Sequence, residues 1–112
     1  MANTLKQLGQ AELTSSLAAA YTVPGSTTTM VTGFWLCNTS ASDAADVEVH
    51  LVQSGDSAGV ASTILKYELA AGESFGFSPG SGKCVLETGA TVQAKSSLAS
   101  AVSLQVWGVE MA

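Results

Sequence analysis

His50 is the only histidine of the chain, and it lies two residues from Glu48 in "DVEVHLV". A histidine beside a carboxylate can act as a general base or join a metal site. Val47, Val49 and Leu51 alternate with Glu48 and His50, so the two polar groups fall on the outer side of a strand, with no second histidine nearby. The pattern predicts a solvated histidine. Cysteine nucleophiles want a neighbouring base, and Cys37 and Cys84 each sit in apolar sequence instead. Free packed thiols are the expectation, with one disulfide as the alternative. Asp43, Asp46 and Glu48 are the densest acidic cluster. Calcium wants about six to eight oxygens, and this run lacks the regular order and closing glutamate of an EF-hand loop. Asp56, Glu68, Glu73 and Glu87 offer carboxylates for glycoside hydrolysis, but nothing separates any two of them from surface acids. Gly80-Ser81-Gly82-Lys83 lacks the spacing of a phosphate loop and is not followed by a helical pattern. These residues predict no catalytic, cofactor or metal site, and a protein that is not an enzyme.

Trp35 and Trp107 carry a different kind of chemistry. An exposed tryptophan on a sheet can stack on a sugar ring or anchor a protein contact. Trp107 lies opposite the set Val102, Leu104 and Val106, so it faces outward if that set faces the core. Trp107 and Val109 near the C-terminus, Ile64 on a middle strand and Trp35 are the interface candidates.

Apolar residues recur with period two in short runs separated by turn residues, which is the signature of strands. Leu5 to Leu8 reads as a short strand ending at Gly9. Residues 11–20, "AELTSSLAAA", read as a helical turn or an irregular connection. Tyr21 to Val23 is extended ahead of Pro24, and Pro24-Gly25 predicts a type II turn with glycine taking the positive dihedral. Residues 28–38 are the longest strand, with Met30, Thr32, Phe34 and Leu36 on one side and Val31, Gly33, Trp35 and Cys37 on the other. Both sides are largely apolar, which predicts a strand covered on both faces. Further strands are expected over 46–52, 62–70, 74–77, on either side of Thr88-Gly89, and over 101–111. The expected core is Phe34, Leu36, Val49, Leu51, Leu65, Tyr67, Phe75, Phe77, Leu104 and Val106. Together these predict an all-β fold: a single antiparallel β-sandwich, jelly-roll-like, of eight or nine short strands.

The totals agree. The chain has 112 residues, one domain's worth, with residues 1–10 as a candidate assembly arm. It is 46% hydrophobic and only 12% charged, against the ~25% usual in globular proteins. Four scattered lysines against nine acids give a net charge of −5. That excludes the basic stripe of a nucleic-acid binder and disfavours docking on anionic membrane. No window reaches the ~20 apolar residues of a membrane span, and "MANTLKQLGQ" lacks the apolar centre of an export signal. Synthesis in a cytoplasm without export is the expectation.

In order along the chain, "MANTLKQLGQ", "YTVPGSTTTMVTGFWLCNTS", "LKYELAAGESFGF", "VLETGATVQAKSS" and "LQVWGVEM" together resemble small virion proteins of tailed bacteriophages. The resemblance implies a β-sandwich unit of a phage particle, located in the virion after synthesis in the host cytoplasm. It favours a capsid decoration (cement) protein bound to the major capsid protein or other virion proteins. A tail- or fibre-associated module for attachment or host glycans is the alternative. It carries over no catalytic residues. A homo-oligomer is expected, with a trimer favoured because capsid lattices offer threefold positions.

Overall fold

A computed structural model describes residues 3–78 and 84–112. It contains nine strands and one short 3-10 turn among these residues: β1 (Asn3–Glu12), β2 (Ala18–Thr22), β3 (Thr28–Asn38), β4 (Ala45–Val52), the turn Val60–Ser62, β5 (Thr63–Leu69), β6 (Ser74–Phe77), β7 (Cys84–Leu86), β8 (Thr91–Ser96) and β9 (Val102–Met111). All pairings are antiparallel. One sheet runs β1-β9-β3-β6, with β7 also on β3; the other runs β2-β8-β4-β5. β6 and β7 pair with successive stretches of β3, so they act as one interrupted strand. With that strand counted once, eight strands divide four and four between two sheets in jelly-roll order, the chain changing sheet at every connection except β4–β5.

The inward residues of both sheets form one core. Phe34, Leu36, Leu104 and Val106 come from the first sheet, and Val47, Val49, Val92 and Leu69 from the second. Phe34 and Phe77, paired across β3 and β6, have ring centroids 5.1 Å apart. Leu51, Leu65, Phe75 and Phe77 are half-buried and pack against the same core.

Several sequence expectations are corrected. Residues 11–20 form no helix: β1 continues to Glu12, β2 starts at Ala18, and Leu13 between them is buried. β1 does not stop at Gly9 but passes it at a register shift, where an added Cβ would come 2.3 Å from the Ala20 carbonyl oxygen. In the Pro24-Gly25 turn the positive φ falls on Ser26, at 56°, and not on glycine. The sides assigned to residues 28–38 are wrong over half the strand. A bulge between Val31 and Gly33 exchanges them, so Thr29, Val31, Phe34, Leu36 and Asn38 are the buried set. Nor is β3 covered on both sides, since Trp35 is 57% exposed. Tyr67 keeps the inward side but lies on an edge strand and stays exposed, stacked on Phe75 at 4.5 Å. The first ten residues, read as an arm, are from Asn3 onward the edge strand β1 on β9.

One polar clasp ties the sheets together. Tyr21 of β2 donates its hydroxyl to Glu110 Oε2 on β9 at 2.6 Å and lies 2.7 Å from Thr29 Oγ1 on β3. Lys6 on β1 reaches Glu110 Oε1 at 3.2 Å. Burial and the neighbouring carboxylate push the Tyr21 phenol up to about 12. The same hydrogen bond from Tyr21, with help from Lys6, holds the Glu110 carboxyl below its usual range. A depressed carboxylate contributes stability above its unfolded pKa and loses it as pH falls through the folded value; a raised phenol contributes below pH ~10 and loses it as pH rises toward 12. The wild type should therefore lose stability on both limbs. Denaturation midpoints across pH should show Glu110→Gln with a flatter acid limb and Tyr21→Phe with a flatter alkaline limb.

Candidate functional site

Because directly paired residues share a face, the register of the first sheet fixes which side chains meet on its outer surface. Val85 of β7 lies opposite Met30 of β3, Met30 opposite Val109 of β9, and Val109 opposite Leu5 of β1. That is an apolar row across the whole sheet. Leu5 is 79% and Val85 51% exposed. Met111 flanks the row at one end. On its other side Trp107 stands between Gly33 and Gln7, and beyond it Trp35 stands between Gly76 and Gln105. Among the described strand residues on this face only Glu12, at its far end, is charged.

Trp35 is held flat by its neighbour. A Cβ on Gly76 would come 2.7 Å from the Trp35 ring, so the glycine leaves room for the indole to lie against the β6 backbone. Trp35, Gly33, Gly76, Phe77, Ser78 and Trp107 line a shallow depression of about 340 Å³. Its lining carries no charge.

The outer face of the second sheet is the opposite in character. The alternation that sends Val47 and Val49 inward sends Asp46, Glu48, Lys66, Glu68 and Lys95 outward. Glu48 lies 3.6 Å from Lys95 and 3.1 Å from His50 Nε2. The bond to His50, with the field of Lys95 and Lys66, holds the Glu48 carboxyl below its ordinary value.

His50 is on the outer side of β4 as the alternation predicts, but it is not solvated: only 3% of it is exposed. The turn Val60–Ser62 roofs it, and its Nδ1 lies 2.8 Å from Ser62 Oγ. Ser62, His50 and Glu48 thus line up like a hydrolase relay. A nucleophile, however, needs a free, reachable hydroxyl. Ser62 Oγ sits 3.0 Å from both the amide nitrogen and the carbonyl oxygen of Gly59, so it is committed to closing its own turn. The trio is a strut, centred on the buried His50, that fastens the 53–62 loop to β4. The sequence conceals this, because the residues that cover His50 are ten or more positions away.

Of the four interface candidates, the structure brings Trp35, Trp107 and Val109 onto one face. Ile64 lies on the other sheet, half-buried and packed against the core at a bulge in β5. Leu5, Met30, Val85 and Met111 belong to the same patch as the tryptophans and were missed, since no single strand reveals its neighbours' register. Cys37 and Cys84 are free thiols on opposite faces of the sheet, and burial pushes the Cys84 thiol up. Asp43, Asp56, Glu68 and Glu87 are exposed, and Glu73 closes the β5–β6 turn by accepting from Ala70 N at 2.7 Å. Gly80-Ser81-Gly82-Lys83 lies outside the described residues. Among the described residues no three His, Cys, Asp or Glu side chains converge on a metal-sized site.

No protein-family model matches the chain, and no curated protein matches it either.

Replacing His50 should cost far more than an ordinary surface change. His50→Ala leaves a gap under the turn and strips Ser62 of a partner, which predicts a loss of about 1–3 kcal/mol in chemical denaturation. A loss within ~0.5 kcal/mol would mean that the roof contributes nothing.

Proposed function

We propose that this protein is a structural protein of a bacteriophage virion, a capsid decoration (cement) protein that binds and stabilises the head lattice. Its role is assembly and not catalysis. The observation that carries the reading is the contrast between the two outer faces. One sheet presents charge to solvent, while the other presents an uncharged apolar row and two tryptophans. Scattered apolar surface is ordinary, but a contiguous patch marks a contact. The sequence resemblance to small phage virion proteins supplies the particle, and the jelly roll is a common architecture of viral capsid domains. The partners are the major capsid protein, other virion proteins and further copies of the chain. Many weak contacts repeated over a lattice then reinforce the shell through avidity.

The depression between Trp35 and Trp107 favours a second reading, a tail- or fibre-associated module that recognises a host glycan. An uncharged hollow beside a fixed indole suits the apolar side of a sugar ring.

Co-sedimentation with undecorated capsids separates the two. The wild type should bind, and Trp107→Ala should weaken binding by at least ~2 kcal/mol, roughly thirtyfold, while the fold persists. A protein that ignores capsids and binds a glycan array would replace the first reading with the second.

A further inference from the structure

We propose that the β1-β9-β3-β6 face packs against the same face of a second copy, with strands antiparallel, about a twofold axis over the Gly33–Trp107 row. The inference rests on the reading of this face as a protein contact and names its occupant.

The first argument is extent. Four strands at ~4.8 Å and about ten residues at ~3.3 Å give a footprint of roughly 600 Å². Specific interfaces bury about 1,200–2,000 Å² in total, roughly 600–1,000 Å² per partner, so this face alone reaches the lower end of that range. The second is shape. Pleated sheet faces stack on one another ~10 Å apart, and a twofold contact needs only one self-complementary surface.

The third argument is the arrangement of residues on the face. The row Leu5–Val109–Met30–Val85 lies to one side of the Gly33–Trp107 pair, and Trp35 lies to the other. Reversing the strands about that pair sets Trp35 of each copy over the partner's Met30 and the partner's Val85. Each indole, already fixed against Gly76, then meets an apolar seat with little ordering left to do. A closed face-to-face pair stops at two copies, which departs from the trimer favoured on sequence grounds.

Sedimentation velocity over a dilution series tests this. The wild type should sediment as a dimer that dissociates on dilution. Met30→Lys and Trp35→Glu should each be folded monomers by circular dichroism. Mixing the two should restore dimers, because in a mixed pair the new lysine meets the new glutamate once while the other Trp35–Met30 contact stays intact. Val85→Lys, at a site half exposed in the single chain, gives the same monomer without touching the core. Dimers that survive Val85→Lys and Trp35→Glu, a mixture that stays monomeric, or a trimeric wild type would overturn the proposal. A monomeric wild type whose capsid binding weakens with Trp107→Ala would overturn the twofold pair and leave the decoration reading standing. A monomer whose capsid binding ignores every one of these changes would overturn both.

Discussion

The pairing of β3 with β9 is the constraint on which the rest of the structure depends. It joins ten residue pairs, from Thr28 with Met111 to Asn38 with Val102, through the middle of one sheet. Its inner side supplies Phe34, Leu36, Leu104 and Val106 to the core. Its outer side supplies Met30, Trp35, Trp107 and Val109 to the surface patch. A one-residue slip would exchange these sets and turn the protein inside out along its longest ladder. The bulge at Thr32 is what makes both halves of β3 fit: without it, burying Val31 would expose Phe34 and bury Trp35.

The β character of the chain, the number of strands and most of their limits were legible because alternation and turn residues are local signals. Residues 28–38 and 74–77 were delimited as they stand. What failed was anything set by a neighbouring strand. The sides of β3 were misassigned ahead of the bulge, where Met30 was grouped with Phe34 and Leu36 and Val31 with Trp35, since the extra residue is defined only against β9. His50 was taken as solvated because Ser62 and the turn above it approach from a distant part of the sequence. The patch was half seen: the tryptophans stand out by type, whereas Leu5, Met30 and Val85 acquire meaning only once the register aligns them.

Low overall charge acquires a spatial meaning in this fold. The few ionic groups are not spread evenly. Those on the described strands gather on the outer side of the β2-β8-β4-β5 sheet and at the Lys6–Glu110 clasp, which leaves the opposite face with Glu12 alone. Desolvating a bare face costs little, so apolar burial there is not offset by stripping water from ions. Ser62, His50 and Glu48 serve rigidity on the charged side, and Tyr21 with Glu110 serves closure of the sandwich. The chemistry-bearing residues therefore stiffen a scaffold, and under the proposed reading the bare face makes the contact.

The central claim is that the β1-β9-β3-β6 face is covered by protein in the assembled particle. Electron microscopy of the particle carrying this protein, at a resolution that places individual strands, tests it most directly. The account predicts many copies per particle, each with Trp35, Trp107 and Met30 against a neighbouring chain and with Glu48 and Lys95 facing solvent. Copies that present the tryptophan face to solvent and bury the charged sheet would contradict it.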